Sequence, residues 1–179
     1  RPCGRNRRAM LIISDLTYRI AGRTLSEGAS VTIHDGAKVG LVGPNGAGKT
    51  TLFNIIAGDL AAESGSIDLK RGARIGRVAQ EAPGSDISLI DFVLATDTER
   101  TALMAEADTA SDPHRIAEIQ VRLADIEAHS AEARAATILS GLGFDAADQR
   151  RPCADFSGGW RMRVALAAVL FTEPDLLLL

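Results

Sequence analysis

Three observations predict an α/β fold for this 179-residue chain. Runs of strand-forming residues fill its first third. A glycine-rich loop then joins an apolar run to an amphipathic segment, and from Ile87 to Gly143 the pattern turns helical before an apolar run ends the sequence. Strands, a mixed core, a helical insertion and a return to the core are the order expected of a layered α/β domain.

Each element has a local reason. Leu11-Ile12-Ile13, Leu16 to Ile20 and Ala29 to Ile33 read as short strands separated by turn residues. His34 to Ala37 is a turn, and Lys38 to Val42 is a short apolar strand running into the loop. Leu52, Phe53, Ile55 and Ile56 have helical spacing from Lys49 onward, and Gly58 is the helix-ending glycine. Residues 63–80 read as two strands around Arg71-Gly72. Ile116, Ile119, Leu123 and Ile126 mark the packing face of a helix with Ser111 or Asp112 as N-cap and Pro113 at its first position. Met162, Ala165, Leu166, Val169 and Leu170 mark the buried face of a helix beginning after Ser157, and Pro174 separates it from a buried Leu-rich strand.

Bulk properties bound the function. The chain is 46% hydrophobic and 24% charged, and its net charge of −3 argues against a protein-wide basic face for nucleic acid. Arg1, Arg5, Arg7 and Arg8 crowd the start, leaving 16 basic against 23 acidic residues elsewhere. Residues 1–9 read as a non-native or disordered basic tail before a natural start at Met10, with a nucleic-acid arm as the alternative. No apolar run is long enough to span a membrane. Cys3 and Cys153 form neither a disulfide framework nor a metal-ligand spacing, which suits a reducing cytosol. Cys153 reads as a small buried hydrophobe, and His34, His114 and His129 have no metal-type partners nearby in sequence.

Gly43-Pro44-Asn45-Gly46-Ala47-Gly48-Lys49-Thr50 matches the phosphate-loop pattern G-x-x-x-x-G-K-[ST] at every fixed position. Its glycines allow backbone N–H groups to converge on phosphate oxygens, and the helix that follows adds the positive end of its dipole. Lys49 is expected on the β- and γ-phosphates and the Thr50 hydroxyl on Mg²⁺, with Thr51 closing the phosphate-holding stretch. Lysine is scarce (Lys38, Lys49 and Lys70 only), so its position here carries weight. Ser157-Gly158-Gly159 opens a second helix with another set of free N–H groups. Two such starts would crowd one nucleotide. Two chains, or two domains, placed head to tail would let each start serve the other's nucleotide.

At these residues the sequence resembles ATP-binding cassette domains. The loop "GPNGAGKTTL", Gln80 in "RVAQE", and "FSGGWRMRVALAAVLF" followed by "EPDLLLL" stand in that family's order. Phe156 and Trp160 replace the Leu and Gln of the transporter signature L-S-G-G-Q, and "FSGGWRMR" resembles the first cassette of the F subfamily, soluble tandem-cassette ATPases acting on ribosomes in translation. The resemblance covers Met10 to Leu179. It implies a P-loop nucleoside triphosphate hydrolase fold of the cassette type, with an antiparallel β subdomain and a helical subdomain over residues 87–150.

The resemblance also implies roles. Gln80 would link the helical subdomain to Mg²⁺ and the attacking water, as a catalytic and metal-side residue beside Lys49. Ser157, Gly158 and Gly159 would meet the γ-phosphate held by an opposing cassette. Tyr18, the only tyrosine, would stack on adenine, with packing inside the sheet as its alternative. A Walker B aspartate and a general-base glutamate would follow Leu176 to Leu179, and neither lies within these residues. The expectation is therefore a cytosolic partial cassette that holds Mg-ATP and does not cleave it alone, from a tandem ATPase with the ribosome as partner. The rival readings are a transporter's nucleotide-binding subunit and a non-catalytic ATP-sensing module.

Overall fold

A computed structural model describes residues 8–20, 23–78 and 82–179. Gln80 and most of the basic tail lie outside the described residues. The chain divides into two units, one reaching Ile75 and the other starting at Gly76, with the terminal residues Leu178 and Leu179 divided between them.

The first unit is built on an antiparallel sheet. Strand β1 (Ala9–Ile20) lies between β2 (Arg23–His34) and β3 (Ser64–Leu69). The sequence suggested two runs broken at Ser14-Asp15, whereas β1 is one strand with a bulge there: Asp15 has φ 49°, and the register with β2 shifts between Ile13 and Leu16. An extra residue reverses the in–out alternation. It lets Leu11 and Ile13 before the bulge, and Leu16 and Tyr18 after it, all be buried. Gly65 sits opposite with φ 92°, where an added Cβ would come within 2.5 Å of the Asp15 carbonyl oxygen. Only glycine tolerates both constraints.

Helix α1 (Lys49–Ala57) ends as its glycine predicts, with Gly58 at φ 83° and its N–H donating to carbonyls of the last turn. The expected strand over Lys38–Val42 is absent. Residues 37–44 have no regular structure, and Val39, Leu41 and Val42 are 63%, 42% and 91% exposed. A strand exists through its ladder partners, and no described strand pairs with this segment.

The second unit is mainly helical. Helices α2 (Leu89–Leu94), α5 (Ala131–Gly141) and α6 (Gly158–Phe171) share a core that includes Leu89, Val93, Leu139, Phe144 and Val164, all essentially inaccessible to solvent. Cys153 joins that core, as expected, and burial pushes its thiol pKa up. Helices α3 (Thr98–Thr109) and α4 (Pro113–Asp125) close a smaller core on Ile119, Leu123 and Ala128. Arg115 bridges Glu106, and Arg122 bridges Glu99, holding both carboxyls below their usual pKa. These pairs are exposed, so each contributes little to stability. Asp112, not Ser111, caps α4 by accepting from the His114 N–H. Strands β4 (Ile75–Arg77) and β5 (Leu176–Leu178) pair into a two-stranded sheet.

The packed face of α6 differs from the expected one. Val164, Ala165, Ala167, Ala168 and Phe171 are buried, while Met162 is 43% exposed. The helix is apolar on nearly every side, so periodicity could not select a face.

Gln149, unremarkable in sequence, is 5% exposed. Its Nε2 reaches the Ala136 carbonyl, the Ser140 hydroxyl and the Phe144 carbonyl at 3.1–3.2 Å. Gln149→Leu would leave the buried Phe144 carbonyl without this donor and should destabilise the protein by about 1–3 kcal/mol. The denaturant midpoint reads this directly, and an unchanged midpoint would mean the amide contributes nothing net.

Candidate nucleotide-binding site

The glycine-rich loop is built around Gly48. This residue is the N-cap of α1, at φ 91° and ψ 15°, and it supplies no side chain to cap the helix. An α-helix leaves its first N–H groups without intrahelical partners, so the start of α1 keeps donors for an anion. Inside the loop the Ala47 N–H donates to the Pro44 carbonyl at 3.2 Å, and Gly46 turns at φ 79°. The Leu52 N–H donates to the Gly48 carbonyl at 2.9 Å, which begins the helical ladder at the loop's last residue.

Lys49 folds back over this loop. Its Nζ donates to the Gly43 carbonyl at 2.7 Å and to the Pro44 carbonyl at 3.0 Å. An ammonium has three donors, so the two carbonyls orient the charge and leave a direction for phosphate. Thr50 is exposed in the first turn of α1, while Thr51 is 9% exposed and faces inward. Asn45, Gly46, Gly48, Lys49, Thr50 and Thr51 line one cleft of about 480 Å³. That volume lies in the range of small-molecule sites.

Two sheet residues pack against Gly48. An added Cβ on Gly48 would stand 3.0 Å from Leu25 Cδ1 and 3.2 Å from Tyr18 Cε2. The Tyr18 hydroxyl donates to the Gly48 carbonyl at 3.5 Å, the ring is 6% exposed, and burial raises its phenol pKa. Placed this way, Tyr18 packs against the Gly48 backbone with its side chain covered. Leu25 also lines the cleft. The sequence reading missed it, because a leucine in a strand carries no chemical mark.

The second predicted phosphate-facing group belongs to the other unit. Ser157 is the N-cap of α6, at φ −65° and ψ 162°, and its side chain makes no capping bond. Ser157, Gly158 and Gly159 are all exposed. The cleft lining contains no carboxylate. Among the described residues, no group of three His, Cys, Asp or Glu side chains could hold a metal.

The sequence profile of the ABC transporter family matches residues 26–179. The chain belongs to that family of ATP-binding cassette ATPase domains. Among curated proteins, the probable ATP-binding protein YheS of Escherichia coli K12 is 41% identical over 173 residues, 95% of this chain and 27% of YheS. ATP-binding cassette sub-family F member 3 of Homo sapiens is 38% identical over 187 residues, 98% of this chain and 26% of that protein. The chain thus spans about a quarter of the length of these relatives. Among solved structures, an ATP-binding cassette of an ABC transporter superposes with TM-score 0.66 at 19% identity, covering 95% of this chain and 68% of that one. CbiO1 of Clostridium perfringens, part of the transporter complex CbiONQ, superposes with TM-score 0.61 at 24% identity, covering 94% and 64%. The fold is therefore that of the cassette ATPases. No described helix is long and apolar enough to cross a membrane.

Gly48→Ala tests the loop geometry. A β-carbon there meets both a left-handed φ and the Leu25–Tyr18 wall, so ATP affinity should drop at least about tenfold. Titration with a fluorescent ATP analogue measures it, and wild-type affinity in the alanine variant would show the loop geometry is not required for binding.

Proposed function

We propose that this chain is the nucleotide-gripping part of a cytosolic, tandem ATP-binding cassette protein of the F subfamily, whose ATP-driven closure of two cassettes changes its hold on a ribosome. The grip rests on one observation: an uncapped α1 start with the Lys49 ammonium held across it by the Gly43 and Pro44 carbonyls. The subfamily assignment is supported by the relatives YheS and sub-family F member 3, and by Trp160 in the place of the transporter glutamine.

The residues present fit Mg-ATP. The N–H groups of Gly46, Gly48, Lys49 and Thr50 would take phosphate oxygens, and the Lys49 ammonium would neutralise the β- and γ-phosphates. Thr50 would give its hydroxyl to Mg²⁺, which otherwise keeps water and phosphate oxygens as ligands. The ion supplies charge neutralisation on the transferring phosphate. Tyr18 and Leu25 hold Gly48 in place beneath the nucleotide. Ser157, with its hydroxyl uncommitted, and Gly158 and Gly159 present donors to the nucleotide of an opposing cassette. Gln80 would link the helical subdomain to Mg²⁺ and the attacking water.

Binding and cutting separate by mutation. Lys49→Ala should weaken ATP binding about ten- to hundredfold, the worth of charge-assisted hydrogen bonds to phosphate; unaltered affinity would sink the phosphate-loop assignment. Ser157→Arg should leave ATP binding by the isolated cassette intact while hydrolysis by the tandem protein falls about a hundredfold or more. Equal loss of binding in the isolated cassette would place Ser157 on its own nucleotide instead.

The 179-residue chain should bind ATP and release phosphate no faster than background. A missing general base typically costs about 10² to 10⁴ in rate. Steady Lys49-dependent turnover would reveal a water-activating group within these residues.

A further inference from the structure

Ser157, Gly158 and Gly159 can contribute donors, yet they have almost nothing with which to hold their own position. The serine hydroxyl makes no cap, and the Cβ position of Gly159 opens onto empty space. The direction of this helix start has to come from its flanks. Those flanks are Phe156 and Trp160, and both pack edge-on against the same ring. Phe144 meets Phe156 at 5.6 Å between centroids and Trp160 at 5.1 Å, with interplanar angles of 80° and 63°.

Phe144 is itself immobilised. It is 1% exposed, its N–H donates to the Leu139 carbonyl at 3.1 Å, and its carbonyl accepts from the buried Gln149 amide. Arginines clamp the outer faces. The Arg163 guanidinium lies 4.5 Å over the Trp160 ring and its Nη1 donates to the Leu142 carbonyl at 3.4 Å. Arg151 lies 4.7 Å over Phe156 while bridging Asp148 and Asp155.

We propose that Trp160 is a positioning residue: with Phe156, braced on Phe144 and clamped by Arg163, it fixes the orientation of the Ser157-Gly158-Gly159 helix start toward the nucleotide of an opposing cassette. A glutamine at position 160 has no ring to set against Phe144 or beneath Arg163. The inference rests on the trans role of Ser157 proposed above, and its test has an arm independent of that role.

Trp160→Gln and Trp160→Phe are the variants. In the 179-residue chain, hydrogen exchange of the first bonded amides of α6, residues 161–163, should quicken about tenfold in Trp160→Gln, the worth of an edge-on aromatic pair with a cation–π contact. Trp160→Phe, which keeps a ring against Phe144, should restore most of the protection. ATP affinity at the phosphate loop should match wild type in both. In the tandem protein, Trp160→Gln should lower kcat with KM for ATP unchanged, and Trp160→Phe should recover it; a general loss of folding would move affinity and denaturation midpoint as well. Unchanged exchange in Trp160→Gln, or a phenylalanine that rescues nothing, overturns the inference. If Ser157→Arg leaves tandem hydrolysis untouched while exchange responds as described, the trans reading fails and the brace stands as a structural fact only.

Discussion

Helix starts without caps are the constraint around which this protein is organised. Helices α2, α3 and α4 are closed by side chains, with Ser88, Asp97 and Asp112 accepting backbone N–H groups. Helix α5 continues from a 3₁₀ turn over Ala128–Ser130. Helices α1, α5 and α6 begin with no side-chain capping bond, and of these only α1 and α6 open without a helical turn directly before them. A cap is worth about 1 kcal/mol, so leaving two helices open gives up stability that capped helices keep. What is kept in exchange is a set of backbone donors aligned with the positive end of a helix dipole, which is what a phosphate needs.

Open helix starts have to be held by something other than their own residues, because glycine and serine pack poorly. At α1 the support comes from the sheet: the bulge at Asp15 turns Tyr18 inward, and Tyr18 and Leu25 form the wall that only a glycine at position 48 can approach. At α6 it comes from Phe144, locked by Gln149 and flanked by Phe156 and Trp160. In both places a residue with no reactive group sets the geometry of residues that could touch nucleotide. The two supports differ in chemistry but answer the same mechanical need.

Legibility of the site in the sequence followed the nature of each constraint. The loop from Gly43 to Thr51, the C-cap at Gly58, and the openings of α4 and α6 could be read because they are local: φ above zero demands glycine, and a missing or present cap is a matter of neighbouring residues. Tyr18 could not be placed from alternation, since a single extra residue in β1 changes which face it occupies. Leu25 and Gln149 carried no mark, since their roles arise from partners that are distant in the chain or depend on how a turn folds.

Local rules also decided that α6 is a helix, but not which of its sides is buried. That choice belonged to α2 and α5, which pack on Val164, Ala167, Ala168 and Phe171. The segment Lys38–Val42 shows the converse: its residues favour a strand, yet strand structure needs hydrogen bonds from a neighbour, and without one it stays irregular with its valines exposed. Propensity, turns and the phosphate loop follow from interactions a few residues long, and so are fixed by residue order alone. Pairing, burial and the bracing of the two helix starts depend on contacts that exist only once distant segments meet, and those the tertiary structure decided.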